Sequence, residues 1–275
     1  ICACLVGSEM CIRDRTNTLQ GGTGTDTLSL QGKHVPVRHG PDDGFYVGYD
    51  IDLKRGKLSL RSPDIAITPV LHSNIHSIEK VETLAGAHNL VTGSDEADYI
   101  IANGHDRINA GAGNDQIVVR GNDCRVNGGS GADTYYLNGM THTVSIAEDG
   151  EDLSVIHLGV TLEFVQDWRI RDNALVISSL QNAESFLPER QLVINDVYET
   201  LTDKRSLRNP NLLFVTVDGY QLKVDLPAQI NGMTEQSVNV IVVVMGTPKT
   251  SPSIVNSRVQ RAVSYTHLTL PTTER

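Results

Sequence analysis

Aspartates recur at nearly constant spacing through the middle of this 275-residue chain. Counted back from Asp133, the positions follow at steps of 10, 8, 9, 8 and 9, and the last of them carries Asn in place of Asp. The residue two places further on is apolar at every position but one, where it is Arg125. The members of the series are Asp133, Asp123, Asp115, Asp106, Asp98 and Asn89. Carboxylates at a fixed period can bind a row of cations if the fold brings them together.

Glycines precede these aspartates where a tight turn needs them. The best copies are GAGND, ending at Asp115, and GGSGAD, ending at Asp133, and an isolated copy, GGTGTD, ends at Asp26. Glycine adopts positive φ without strain and leaves room for backbone carbonyls to converge. We therefore expect turn carbonyls to act as ligands beside the carboxylates. The candidate glycines are Gly111, Gly113, Gly129 and Gly131.

Each unit of about nine residues holds one turn and one short strand, which cannot bury its apolar residue alone, so the units must stack. Two units make one coil of 17 or 18 residues, and alternate acids then share an edge of the stack. Coils stack about 4.8 Å apart, so neighbouring carboxylates need a cation between them. Calcium accepts six or more oxygens in irregular geometry, which magnesium does not. We predict sites between Asp98 and Asp115, between Asp115 and Asp133, and between Asp106 and Asp123.

The template GGxGxDx(apolar)x, complete in GGTGTDTLS and GGSGADTYY, resembles the repeats-in-toxin (RTX, haemolysin-type) family of calcium-binding nonapeptide repeats. The resemblance implies an all-β fold, a parallel β-roll or β-solenoid with flanking irregular β segments. It also implies a large secreted bacterial protein, toxin-like or adhesin-like, that leaves the cell by type I secretion and folds on extracellular calcium. Calcium ions are then the cofactor, with host cell surfaces or glycans as partners of the parent protein.

The chain divides into six segments on these patterns. Residues 1–15 and 263–275 resemble translated sequencing-adapter read-through, so we expect them to be artefactual and disordered, and the remainder to be an internal fragment. Residues 16–83 form a β segment with the isolated repeat, whose site we expect to need coils outside this chain. Residues 84–137 form the calcium-binding roll, residues 138–199 its C-terminal cap, and residues 200–262 a further β segment with a linker.

Composition excludes some classes of function. The 33 acidic and 23 basic residues give a formal charge of −10, which suits cations and argues against nucleic acid. No apolar run reaches the roughly 20 residues of a membrane span. The glycines are not followed by the Gly-Lys-Ser/Thr of a phosphate loop, and no nucleophile-elbow motif is present. We therefore predict a chain that is not itself an enzyme.

Two other hypotheses stay open on the sequence. The fragment can be the non-catalytic portion of a secreted RTX protease or lipase, or it can be a metal-independent β-solenoid adhesin. Folding that needs calcium separates the calcium-binding roll from the adhesin. The full-length sequence on either side of this fragment would reveal an attached protease or lipase domain.

Overall fold

The computed structural model describes residues 4–6, 8–11, 16–31, 48–61, 72–138, 143–148, 152–179, 190–201, 204–208, 211–231 and 235–244. Within them the chain consists of β-strands and one short 3₁₀ helix, Leu162–Phe164. The expected all-β class is therefore confirmed. None of the described helices is long and apolar enough to cross a membrane. The C-terminal segment 263–275 lies outside the described residues.

The strands are named in chain order. They are β1 (Cys4–Val6), β2 (Ser8–Cys11), β3 (Thr16–Gln20), β4 (Thr27–Ser29), β5 (Gly48–Asp52), β6 (Lys57–Arg61), β7 (His72–His76), β8 (Lys80–Glu82), β9 (Leu90–Thr92), β10 (Tyr99–Ala102), β11 (Arg107–Ala112), β12 (Gln116–Val119), β13 (Cys124–Ser130), β14 (Thr134–Leu137), β15 (Thr143–Ala147), β16 (Ser154–His157), β17 (Val165–Arg171), β18 (Ala174–Ser179), β19 (Arg190–Asn195), β20 (Tyr198–Leu201), β21 (Lys204–Leu207), β22 (Leu212–Val215), β23 (Gln221–Asp225), β24 (Gln229–Asn231), β25 (Glu235–Ser237) and β26 (Asn239–Val244).

Two long sheets face each other across the core. The first sheet has the order β2-β1-β4-β8-β10-β12-β14-β16-β22-β23-β26, and the second has the order β25-β17-β18-β19-β15-β13-β11-β9-β5-β6-β7-β3. A small third sheet contains β20, β21 and β24. From β9 to β16 the chain alternates between the two long sheets, and each strand pairs in parallel with the strand one coil later. This is the expected parallel roll.

Strict register aligns the apolar residues into two buried files. In the first sheet the paired positions are Leu28, Val81, Ile100, Ile117, Tyr135, Ile156 and Phe214. In the second sheet they are Ile51, Val91, Ile108, Val126, Ile146 and Ile194. All of these side chains are buried. A strand of four residues offers one or two inward side chains, so the core exists only because the coils stack.

The isolated repeat has its stacking partner within the chain, so the expectation that its neighbouring coil lies elsewhere is wrong. Strand β4 pairs in parallel with β8, and Thr27 lies opposite Lys80. The chain between them adds a hairpin, β5 and β6, which enters the second sheet between β7 and β9. In the first sheet β8 and β10 remain adjacent. An insertion into one sheet therefore separates the two coils in sequence while leaving them neighbours in space.

The two chain ends of the roll also carry strands. Residues 4–6 and 8–11, set apart as adapter-like, form a hairpin in the structure, and β1 pairs antiparallel with β4. Their adapter origin stays a prediction. At the other end both sheets continue past the repeats, because β19, in the expected cap, pairs with β15, and β22, in the expected further β segment, pairs with β16. Trp168 packs edge-on against Phe214 there, with ring centroids 5.0 Å apart.

The register of β13 corrects one assignment. Arg107 lies opposite Arg125, so Asp106 aligns with Cys124 and not with Asp123. The turn before β13 holds one extra residue, and the inward apolar residue is therefore Val126, which is 3% exposed. Arg125, where the sequence pattern failed, points to solvent.

This register predicts that two neighbouring substitutions differ strongly in their effect on the free energy of unfolding. Val126→Asp is expected to lower the free energy of unfolding by roughly 3 kcal/mol or more, because it buries an unpaired charge. Arg125→Asp, the matched control, is expected to change it by about 0.5 kcal/mol or less, as exposed substitutions usually do. Urea unfolding followed by circular dichroism in calcium-containing buffer measures both. Equal losses for the two variants would contradict the register.

Candidate cation sites along one edge of the roll

The turns that lead into the first sheet place one acid per coil at the same edge. The strand residues that follow these acids are paired in register from β4 to β14, which aligns the acids themselves. We call this set the acidic row, and it consists of Asp26, Glu79, Asp98, Asp115 and Asp133. The row brings together the predicted acids Asp98, Asp115 and Asp133. It joins to them the isolated repeat's Asp26 and the unpredicted Glu79.

At Glu79, Asp115 and Asp133, one carboxylate oxygen accepts a hydrogen bond from a backbone N–H of the preceding coil. The Asp98 N–H donates to Asp115 Oδ1 at 2.7 Å, and the Asp115 N–H donates to Asp133 Oδ1 at 2.9 Å. At the start of the row the Asp26 N–H donates to Glu79 Oε2 at 2.9 Å. These bonds fix the carboxylates between successive coils and leave their second oxygens for another partner.

The second oxygens at three positions have no partner among the described residues. Asp26 Oδ2, Asp115 Oδ2 and Asp133 Oδ2 are buried and accept no hydrogen bond. Asp115 and Asp133 are each 1% exposed, so water does not compensate. A buried acceptor without a donor costs about 1–3 kcal/mol, and more when it is charged. A cation between the coils would satisfy these oxygens.

Burial also changes the acidity of these groups. Removal from water raises the pKa of Asp115 to about 7, and the nearby charges of Asp133 and Asp98 add to the effect. Burial likewise raises the pKa of Asp133 to about 6, with a further contribution from Asp152. The pKa of Asp98 is raised as well, again mainly by burial. Without a cation, protons therefore compete for the row close to neutral pH.

The four predicted glycines supply the close approach that the sites need. Gly111, Gly113, Gly129 and Gly131 all have positive φ. A Cβ on Gly129 would lie 1.9 Å from the carbonyl oxygen of Gly111, and one on Gly131 would lie 1.9 Å from that of Gly113. Only glycine permits a turn to stack so closely on the carbonyl oxygens of the preceding turn.

The ligand chemistry suits a hard cation. Carboxylates and backbone carbonyls offer oxygen only, the preference of calcium. Among the described residues no three His, Cys, Asp or Glu side chains gather as a metal-binding group. A site on the acidic row therefore has to draw on two carboxylates and complete its ligands with turn carbonyls.

The opposite edge of the roll does not form the predicted Asp106/Asp123 site. Asp106 is buried, and donors already satisfy both its oxygens: Thr83 Oγ1 at 2.6 Å, Asn89 Nδ2 at 2.6 Å and the Gly104 N–H at 3.2 Å. The Asp123 side chain is 66% exposed and lies 3.7 Å from His105 Nδ1. Hydrogen-bond donors thus satisfy the oxygens of Asp106, as a cation would satisfy the second oxygen of Asp115.

Cys124 takes the register position next to Asp106 without acting as a ligand. It is a free, buried cysteine whose thiol donates to the Gly104 carbonyl at 3.2 Å. Burial raises the pKa of the Cys124 thiol to about 12, so the group is neutral at pH 7. This register position therefore holds a hydrogen-bonded neutral thiol and adds no second carboxylate beside Asp106.

Sequence reasoning missed Glu79, although a signal was present. Glu79-Lys80-Val81 repeats the order acid, any residue, apolar residue, and Val81 is buried. The turn before Glu79 lacks the glycines of the template, which concealed the match.

The architecture and the acidic row define a repeat-built parallel β-roll with a row of carboxylates on one edge. A family model for the RTX calcium-binding nonapeptide repeat matches the chain in four copies, over residues 13–31 and 85–117. The resemblance to the RTX family is therefore confirmed. The matched residues include Asp26, Asp98 and Asp115 and end before Asp133. No curated protein matches the chain.

The raised pKa values predict the pH dependence of the chain in a chelator. Folded Asp115 and Asp133 have pKa values of about 7 and about 6, against an ordinary value of 3.8. Between these values the folded state holds more protons than the unfolded state, so stability falls as pH rises through this window. We expect a higher thermal midpoint at about pH 5 than at about pH 7.5.

Thermal unfolding followed by circular dichroism measures this, and the double variant Asp115→Asn, Asp133→Asn is the control. Amides do not titrate, so the slope should flatten. A midpoint that rises with pH in the unsubstituted chain contradicts the prediction.

Two glycines at equivalent turn positions separate backbone strain from steric contact. Gly131 has φ of +124° and Gly24 has φ of +113°, but at Gly24 a Cβ meets no atom of the described residues within 4 Å. Both alanine variants carry the strain of positive φ, about 1–2 kcal/mol. Gly131→Ala should lose roughly 1–3 kcal/mol more, through its clash with Gly113. Urea unfolding in calcium measures the difference, and equal losses would show that the close approach is absent.

Proposed function

We propose that this chain is a calcium-binding roll whose folding is completed by calcium on the acidic row. The observation that carries the proposal is the pair of buried oxygens, Asp115 Oδ2 and Asp133 Oδ2, which lack a donor. Glycine turns let the carbonyl oxygens of Gly111 and Gly113 lie against the turn of the next coil, which also holds Asp133. The match of the calcium-binding repeat in four copies, over residues 13–31 and 85–117, supports the same ligand.

Three sites follow from the row. Asp98 and Asp115 would hold one ion, and Asp115 and Asp133 a second, with carbonyls of the intervening turns completing both ligand sets. Asp26 and Glu79 would hold a third ion at the isolated repeat. Bound calcium supplies positive charge between coils, and the chain's own part is to orient the carboxylates and exclude water.

Charge links binding to folding. The chain carries a formal charge of −10, and the row concentrates part of that charge in a buried file. Extracellular calcium modules bind with dissociation constants of roughly 10⁻⁴–10⁻³ M. A site at about 100 times its dissociation constant contributes roughly 2.7 kcal/mol to folding. Two or three such sites are comparable with the whole stability of many domains.

The parent of the chain is, on this proposal, a large secreted bacterial protein that folds after export. RTX repeats are typical of secreted proteins, and calcium outside the cell would provide the signal to fold. The roll itself is non-catalytic, and its task is to hold a stable structure where calcium is abundant.

A calcium titration from excess chelator tests the proposal. We expect the β signal in circular dichroism and the emission of Trp168 to change together as calcium is added. The double variant Asp115→Asn, Asp133→Asn should need roughly tenfold more calcium or more, equivalent to 1.4 kcal/mol. Asp123→Asn removes an exposed aspartate of the same sequence series and should stay within about twofold of the unsubstituted chain.

A β spectrum that is complete in chelator and unchanged by calcium would overturn the proposal and favour the metal-independent solenoid. An equal shift for Asp123→Asn would assign the effect to net charge and not to the acidic row.

A further inference from the structure

The coil after the last glycine repeat carries a carboxylate at an unusual position. Asn127 lies opposite Ala147, so Glu148 aligns with Gly128, the first residue of the preceding turn. Thr134 lies opposite Val155, so Ser154 aligns with Asp133. Where the repeat has glycine and aspartate, this coil has glutamate and serine.

The space at these two positions explains why glutamate and serine replace glycine and aspartate. A Cβ on Gly128 would lie 2.1 Å from Asp133 Oδ2 and 2.1 Å from Tyr135 Oη, so a side chain cannot share this space with the aspartate. Serine is shorter than aspartate, so Ser154 leaves the equivalent space one coil later open for another side chain. Glu148 occupies it and returns a carboxylate to the edge of the roll.

Hydrogen bonds direct the Glu148 carboxylate toward Asp133. Tyr135 donates its hydroxyl to Glu148 Oε1, and Ser154 donates its hydroxyl to Glu148 Oε2 at 3.2 Å. The Ser154 oxygen in turn accepts the Asp133 N–H at 3.1 Å. Glu148 is 9% exposed, so a second buried acid lies close to Asp133.

The free oxygen of Asp133 is directed into this cluster. Asp133 Oδ2 accepts no hydrogen bond, and it lies on the Gly128 side of the turn together with the Tyr135 hydroxyl. Asp152, on the same turn as Ser154, adds negative charge that acts on Asp133. Buried and nearby acids of one sign, one of them with an unsatisfied oxygen, require positive charge.

We propose that Asp133 and Glu148 bind a further divalent cation of the calcium class, with Ser154 as the residue that positions Glu148. This site lies beyond the residues matched by the nonapeptide repeat. It rests on the proposed function, because it extends the acidic row by one coil. The site joins the last repeat coil to β16 and so to the cap, which begins where the glycine turns end.

The experiment counts calcium ions bound by the full chain in equilibrium dialysis. Glu148→Gln is expected to bind one ion fewer than the unsubstituted chain, while the amide oxygen still accepts from one of the two hydroxyls and the amide NH2 donates to the other. Glu163→Gln, an exposed glutamate of the cap region, is the matched control and should keep the full number. Circular dichroism at saturating calcium checks that each variant is folded.

The outcomes separate this site from the rest of the row. An unchanged number and affinity for Glu148→Gln overturns the inference and leaves the proposed function standing. Loss of one ion in Glu163→Gln as well also overturns it, because the effect is then one of net charge. If the unsubstituted chain binds no calcium, both the inference and the proposed function are wrong.

A second variant guards against a misfolded Glu148→Gln. Glu148→Asp keeps the charge and shortens the side chain by one methylene, so the ion count should hold while one site weakens by roughly tenfold or more. Binding by Glu148→Asp that is indistinguishable from the unsubstituted chain in every site overturns the inference.

Discussion

Coils stacked about 4.8 Å apart bring Asp98, Asp115 and Asp133 so close together that their charges cannot all persist in a dry edge without compensation. The stack itself is not optional, because each strand is too short to bury its apolar residue alone. The core and the acidic row are therefore two results of one stacking operation. Packing drives the coils together, and electrostatics opposes the same step. A cation would resolve that conflict, as would protons at lower pH, in agreement with the raised pKa values of Asp115 and Asp133.

The two edges of the roll show two ways to tolerate a buried acid. At Asp106, hydroxyl, amide and backbone donors converge, so the acid is satisfied by the chain alone. At Asp115, one oxygen accepts the Asp98 N–H and the other has no donor. The difference lies in the neighbouring residues, since Thr83 and Asn89 supply donors on one edge and the glycine turns supply only carbonyls and space on the other. Acid spacing alone is the same on both edges and does not distinguish them.

The repeat period was sufficient to predict the roll, its two inward files and the edge shared by Asp98, Asp115 and Asp133. It was not sufficient at Cys124, because one extra residue in the preceding turn moves the register while Asp123 still satisfies the spacing. It also failed at Glu79, whose turn lacks the template glycines and which follows Asp26 by 53 residues, with the hairpin β5–β6 in between. Spacing rules assume turns of constant length and coils that follow one another directly. Insertions that leave one sheet continuous break the second assumption without disturbing the stack.

The limits of the acidic row are consequently set by the carboxylates and not by the nonapeptide template. A cation responds to the position of an oxygen, whichever residue of the turn supplies it. Glu79 reaches the edge from a turn without template glycines, with a side chain one methylene longer than that of aspartate. Glu148 reaches it from the position that is Gly128 one coil earlier. There the Asp133 side chain leaves no room for a Cβ, but the shorter Ser154 leaves room for Glu148. Carboxylates reach this edge in coils that no repeat template describes, so the edge is best traced through strand register and buried oxygens.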